Sequence, residues 1–399
     1  TSNRFTYTYN SDGTMATKVD TKSGILTKFI EYGTVEEWNS AGTTLLHSYT
    51  YDDDGNFIEK VGNVTTKSEY YSSEDDFTSG VKIGSTKNET TKDKFEREIR
   101  NKTDSGSDLL INQSYTYKGT SSITSSHQVS SVNNTYITGS DQYTYEYDKN
   151  GNITTIRKNG VVFASYKYDS KNQLTYEHIG GQPTYTQYAY DNAGNIRTKL
   201  EFDVSGGAPI NTIQYGYDNA NWRDQLTSYD GKEITYDNAG NPLSYRDMEF
   251  SWQGGRQLAK VSKPDAEITY TYDDEGISSR KIINGKKVEY FTVDGKITAE
   301  KIGDTVTHYR YDENDNPISI NYRGIEYYYV RNLQGDIEAI LNSSGVAVVS
   351  YTYDAWGKVL SVTGDMADSL GTENGLRYRG YFYDRETQLY YLQSRYYDP

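Results

Sequence analysis

The side chains able to do chemistry are few and scattered. Four histidines, His47, His127, His178 and His308, stand alone. Their spacing suggests neither a metal site nor a nucleophile–base pair, and structural or surface roles fit them better. Two acidic runs, Asp52-Asp53-Asp54-Gly55 and Asp312-Glu313-Asn314-Asp315-Asn316, look like calcium loops. The helix–loop–helix type of calcium loop needs ligands at positions 1, 3 and 5 and a glutamate at 12. Placing Asp54 at position 5 puts Thr50 at position 1, so the register fails and both runs read as turns. Glycine pairs at 180–181, 206–207 and 254–255 lack phosphate-loop context and read as loops. Asn-x-Ser/Thr triplets at Asn63, Asn88, Asn101, Asn112, Asn133, Asn152 and Asn342 matter only in a glycosylating secretory pathway. In a chain this rich in Asn and Thr, chance supplies most of them. No catalytic residue, cofactor or metal ligand is expected.

What the chain has in quantity is tyrosine: 42 residues, against 10 Phe and 4 Trp. A mean hydropathy of −0.84 taken alone hints at disorder. The net charge of −15 over 399 residues is too weak to expand the chain, and the aromatic content is too high for disorder. Tyrosine resolves the conflict, because it buries a large ring while its hydroxyl keeps a hydrogen bond or water. The expected core is wide, thin and partly wet. The mild acidity, with no basic run, argues against a nucleic-acid face and against an anionic membrane surface. No run of about 18 apolar residues is present to insert in a bilayer. Cysteine is absent, which excludes disulfides and thiolate zinc sites and suits a bacterial exported protein. The start at Thr1, without an initiator methionine or signal-like stretch, reads as a piece of something longer.

A repeat organises the tyrosines. Tyr145-Glu146-Tyr147-Asp148-Lys149-Asn150-Gly151-Asn152-Ile153 returns as Tyr188-Ala189-Tyr190-Asp191-Asn192-Ala193-Gly194-Asn195-Ile196, and again from Tyr351 through Tyr353 and Asp354 to Gly357. With the aspartate as register, copies fall at Asp148, Asp169, Asp191, Asp218, Asp237, Gln253, Asp273, Asp294, Asp312, Asn332 and Asp354, a mean period of about 21 residues. Gln253, Asp294 and Asn332 mark degenerate copies. In Tyr-x-Tyr both rings lie on one face of a strand. The aspartate then opens a turn by accepting backbone N–H groups. Three residues on, the chain needs a left-handed conformation, at Gly151, Asn172, Gly194, Asn221, Gly240, Gly276, Asp315, Gly335 and Gly357. Arg256 and Ile297 break this rule, in degenerate copies. One period fits one hairpin, and hairpins pairing edge to edge make a twisted ribbon that coils. The reading is all-β: a β-hairpin array coiling into a β-spiral shell or part of one. Residues 1–142 carry looser copies at Tyr7-Thr8-Tyr9-Asn10, at Glu36-Glu37-Trp38-Asn39 and at Tyr49-Thr50-Tyr51-Asp52. We therefore expect a divergent repeat region over 1–142, regular repeats over 143–366, and a distinct closing segment over 367–399.

The Tyr-x-Tyr-Asp-x-x-Gly-Asn repeats resemble the YD, or Rhs, repeats of bacterial polymorphic toxins, wall-associated proteins, insecticidal toxin C components and teneurins. The segment Asn221-Trp222-Arg223-Asp224-Gln225-Leu226, followed by Ile234 to Pro242, resembles the version common in Gram-positive bacteria. Arg377-Tyr378-Arg379-Gly380-Tyr381-Phe382-Tyr383-Asp384 and Leu389 to Pro399 resemble the core that closes an Rhs repeat region. One departure is Gln388, where the family has glycine after threonine. The resemblance implies a β-spiral shell that wraps an unfolded or inhibited cargo polypeptide. In toxin members the cargo follows the core, and some family members cut themselves just beyond the core, using aspartates. Asp398 lies where that region starts, with its partner beyond residue 399, so no enzyme activity is expected of this chain.

The leading expectation is thus a non-enzymatic shell segment of a secreted or surface-displayed bacterial toxin, extracellular or associated with the cell wall. Its expected partners are the parent's C-terminal cargo and further YD repeats. The alternative is an extracellular adhesion or carbohydrate-binding repeat, in which exposed tyrosines stack on sugars. The structural positions singled out are Tyr145, Tyr147, Asp148, Gly151, Tyr188, Tyr190, Asp191, Gly194, Asp237, Gly240, Tyr351, Tyr353, Asp354 and Gly357. Arg377, Arg379 and Arg395 are expected to stack on tyrosine rings.

Overall fold

Each hairpin is fixed at its ends by two different turns. A computed structural model describes residues 4–73, 77–119 and 126–399. At one end the aspartate turn closes a short loop. Asp148 N–H donates to the Asn152 carbonyl at 2.9 Å, and Gly151 N–H donates to the Asp148 carbonyl at 3.2 Å. At the other end lie two-residue loops with both residues left-handed, such as Asn159-Gly160, Asn284-Gly285 and Asp294-Gly295. That geometry matches the right-handed twist of paired strands.

Strands Phe5–Tyr9 through Lys232–Glu233 form one sheet of 21 strands, and Ser244–Tyr245 through Val359–Thr363 form a second of 13. Throughout both, each strand pairs antiparallel with the next in sequence. Between them the ladder thins to the single bridge Tyr236↔Pro242. The composition shift near Gln142 falls inside strand Gly139–Tyr147, where Asn133 pairs with Gln142. A register shift recurs beside the second tyrosine, between Glu146 and Tyr147, Ala189 and Tyr190, and Thr352 and Tyr353. Such bulges increase local twist and bend a strand, so the ribbon gains an increment of bend at these hairpins.

The second sheet tracks the first in order. Arg4 donates to the Tyr272 carbonyl, Arg280 to the Ser23 carbonyl at 2.5 Å and Thr298 to Glu59 at 2.5 Å. Gln113 donates to the Arg331 carbonyl at 2.9 Å, and Ala355 N–H to Glu177 at 2.7 Å. Sixteen strands, Phe5–Tyr9 to Leu174–Ile179, thus run beside nine, Glu267–Tyr272 to Ala347–Tyr353, so the second turn of the coil is the narrower. Its strands are covered on both faces. In Ile325–Arg331, Tyr328 and Val330 pack on Leu110 and Ile111 of the first turn. Tyr327 and Tyr329 point the other way, into a cluster with Leu370, Leu376, Phe382 and Tyr391. Those four belong to residues 364–399, a compact segment with a short π-helical stretch, a 3-10 turn at Tyr378–Gly380 and a three-stranded sheet.

Three copies, at Asp218, Gln253 and Asp294, depart from the expected register. Asp218 does not open the turn. Asn219 does, accepting N–H groups of Asn221 and Trp222 at 3.0 and 3.2 Å, and Asn221 is not left-handed. Here the chain makes a wide loop between strands ending at Gly216 and starting at Ser228, so no return strand forces the tight bend. After Gln253 the glycine pair Gly254-Gly255 takes the positive φ values, which frees Arg256 from that duty. Asp294 belongs to a two-residue turn and is itself left-handed, so Ile297 already sits in the return strand Lys296–Ile302.

Candidate functional site: the tyrosine face

The aspartates of the motif work on the backbone. Asp148 Oδ1 accepts N–H groups of Asn150 and Asn152, each at 2.9 Å, while Oδ2 accepts Asn152 Nδ2 at 2.9 Å. Asp191 and Asp237 repeat this with Asn195 and Asn241, and Asp354 accepts N–H groups of Trp356 and Lys358. The asparagine bonds hold the Asp148 and Asp237 carboxyls below their ordinary pKa, and backbone N–H groups do the same first for Asp191. Asp52, expected to be a turn and not a calcium ligand, is bonded in the same way to Asn56. Among the described residues, no group of three or more His, Asp or Glu is placed to hold a metal.

Gly151, Gly194, Gly240 and Gly357 all have φ between 80° and 99°. At Gly357 a second requirement applies. A Cβ there would lie 2.5 Å from the Tyr378 ring, which packs flat on the turn from the C-terminal segment.

The two tyrosines of the motif do different things. The second laces hairpins together. Tyr147 OH donates to the Val129 carbonyl at 2.7 Å, Tyr190 OH to Leu174 at 2.7 Å, and Tyr353 OH to Ile337 at 2.9 Å. Tyr117, Tyr272 and Tyr311 reach back in the same way, to Glu98, Leu258 and Ile297. Trp252 substitutes its indole Nε1–H, donating to the Pro242 carbonyl at 2.6 Å. The Phe250-Ser251-Trp252-Gln253 spacing carried that signal in the sequence.

The first tyrosine is the more deeply buried and reaches the next layer inward. Tyr145 is buried with Ile156 in a cluster that Leu333 and Leu360 of the second turn join. Tyr188 donates to Glu177, which also accepts Ala355 N–H from the second turn, and its ring meets Trp356 edge-on at 5.9 Å. Burial, then the Asp354 charge, pushes the Glu177 carboxyl above its ordinary pKa. Tyr351 OH donates to the Gly371 carbonyl at 2.7 Å. Tyr270 OH donates to Asp384, beside the buried Lys281 that pairs with Asp384 at 3.2 Å and Glu386 at 2.5 Å. Glu177 and Lys281 carried no sequence signal, because their partners lie 178 and 103 residues away.

The tyrosine faces of both turns therefore point to the same side, toward the C-terminal segment. They are packed and hydrogen-bonded. Arg377 is buried, donates to the Thr372 carbonyl at 3.0 Å, and lies 4.2 Å over the Tyr383 ring. Arg379 lies 5.3 Å over Tyr378. Arg395 lines an apolar cavity of about 440 Å³ with Trp252, Tyr272 and Tyr396.

A family model described as the teneurin YD-shell matches residues 162–399. The chain belongs to the YD-shell family. Its all-β hairpin array is the fold of that family. This YD shell is 33% identical over 310 residues to the tRNA nuclease WapA of Bacillus subtilis strain 168, covering 64% of this chain and 13% of the relative. It is 25% identical over 272 residues to teneurin-1 of Gallus gallus, covering 64% of this chain and 9% of the relative. A TcdB2-TccC3-Cdc42 crystal structure superposes with a TM-score of 0.60 at 14% identity, over 98% of this chain and 26% of that one, a likeness of fold. The YD shell thus spans about an eighth or less of the curated relatives' length. These likenesses support a shell-like, toxin-associated chain. No helix among the described residues is long and apolar enough to cross a membrane.

Proposed function

We propose that this YD shell is the non-enzymatic wall of a secreted or surface-displayed bacterial toxin, enclosing a cargo polypeptide that follows the core in the parent chain. One observation carries the reading: Tyr396 and Asp398 lie on the tyrosine side of the second turn. Tyr396 packs on Tyr270 at 5.8 Å, and Asp398 accepts the Tyr245 hydroxyl at 2.5 Å. A polypeptide continuing from there starts on the inner side of the coil. Residues 143–366 supply the regular wall, 367–399 its inner closure and 1–142 a divergent outer portion. Further YD repeats complete the enclosure, and the site of action is extracellular or at the cell wall. The nuclease activity named for the WapA relative belongs, on this reading, to cargo and not to shell.

A protease site engineered into the parent just beyond the core tests the proposal. Within an enclosing shell it resists cleavage until the shell is opened by mild denaturant. Cleavage at the rate of an exposed linker overturns enclosure. The adhesion alternative needs open tyrosine faces, whereas Tyr145, Tyr188 and Tyr351 are each at most 6% exposed.

A further inference from the structure

The second turn buries a histidine for which the shell provides no partner. His308, in strand Thr305–Tyr311, is 1% exposed, and neither ring nitrogen has a hydrogen-bond partner. A neutral imidazole carries one N–H and one lone pair, so this enclosure forgoes bonds that water supplies in the open chain. The strand presents Val306, His308 and Arg310 to the first turn, while Tyr309 on its other face meets Phe382.

Across the seam stands the opposite case. His47, also 1% exposed, has Nδ1 3.1 Å from Glu37 and Nε2 3.0 Å from Glu59. Glu59 in turn accepts the hydroxyl of Thr298 from the second turn at 2.5 Å. The His47 ring lies 5.4 Å from Phe291, which packs with Ala299, Val306, Leu46 and Val61 to close the seam. The two carboxylates push His47 up to about 9 against its own burial, so it is a cation at neutral pH. Burial, and then Arg310, push His308 down to about 4.

The charged groups facing His308 are Arg310 on its own strand and His47 and Glu59 on the first turn. Glu37 is occupied by His47. Glu326 accepts Ser319 Oγ and Asn321 Nδ2, and Glu300 is paired with Arg385 toward the C-terminal segment. None of these carboxylates is bonded to His308.

We propose that this seam is an acid-sensitive latch: the two turns of the coil are joined while His308 is neutral and His47 is charged, and protonation of His308 loosens the outer turn. The proposal does not depend on what the shell encloses. The stabilisation His308 gives as a neutral ring is present above its unfolded pKa of about 6.5 and is lost as pH falls toward about 4. His47 runs the other way, holding below about 6.5 and failing as pH rises through about 9. Glu59, held below its ordinary range, releases only in stronger acid. Asp273 and Glu338, both raised by burial, gain stability over the same acid interval. A global melt therefore mixes opposing effects, and the seam must be read locally.

Amide hydrogen exchange in strands Leu45–Tyr51 and Thr305–Tyr311, corrected for intrinsic rates, provides that reading at about pH 7 and about pH 5. The natural chain should lose about tenfold in protection on acidification. His308→Leu and His308→Gln should each lose no protection on acidification, because the remaining His47 favours the acid side. An unchanged natural chain overturns the latch, as does an equal loss in either folded variant.

Discussion

Gln388 shows what a single residue stores. It follows Thr387 where the family resemblance leads one to expect glycine, and it holds φ = 62°, the left-handed conformation that position demands. The turn survives because Gln388 N–H donates to the Asp384 carbonyl at 2.8 Å and the flanking strands Phe382–Asp384 and Leu389–Tyr391 are paired. A left-handed L-residue costs about 1 kcal/mol. Gln388→Gly should therefore raise the denaturant midpoint by the equivalent of about 0.5–1 kcal/mol; an unchanged or lower midpoint contradicts the strain. The laced tyrosines set a second expectation at this scale. Tyr353→Phe keeps the ring but leaves the Ile337 carbonyl without its donor, at a cost of about 1 kcal/mol. Tyr9, an exposed ring for which no such bond is seen, should tolerate Tyr9→Phe within about 0.5 kcal/mol, and equal costs would remove the distinction.

At the scale of the hairpin, much was legible because the determinants are local. Tyr-x-Tyr, aspartate and glycine lie within a few residues, and alternation fixes which rings share a face. The Asn342 turn escaped, although Asn342 accepts N–H groups of Ser344 and Val346 and Gly345 is left-handed, because no Tyr-x-Tyr precedes it. Copies at Asp218 and Asp294 were misplaced because spacing alone cannot tell a wide loop or a two-residue turn from the aspartate turn. Contacts between turns of the coil were illegible, since they join residues more than 150 positions apart. Glu338 is one such group. Burial between Tyr143 on the first turn and its own strand Ile337–Leu341 pushes its carboxyl up to about 7. Protonation therefore favours the fold below about 4.5, and the benefit fades as pH rises through about 7. Glu338→Gln should stabilise the shell by about 1–2 kcal/mol at about pH 8 and change little at about pH 5. Melting curves at the two pH values check this, and a uniform shift would count against it.

For the whole molecule, the layers depend on one another in order: the first turn covers the second, and the second covers residues 364–399. The narrow turn has a tyrosine and aliphatic face that the closing segment covers through Leu370, Leu376, Phe382 and Tyr391. Removing 364–399 should expose that face as a contiguous apolar surface, with dye binding and self-association by light scattering. A monomeric truncation with an unchanged melt would show that the segment is peripheral.

The tyrosine lacing also has a direction. Each hydroxyl donates to a carbonyl lying 14 to 19 residues earlier in the chain at Tyr117, Tyr147, Tyr190, Tyr272, Tyr311 and Tyr353. A chain emerging N-terminus first, from a ribosome or through a translocation pore, always finds the acceptor already delivered. Each hairpin can therefore lock as it appears, without waiting for sequence still to come, and the loops to be closed are short. Assembly in the opposite order leaves every new hairpin with a hydroxyl and no carbonyl to meet it. The wall is built to be laid down from one end.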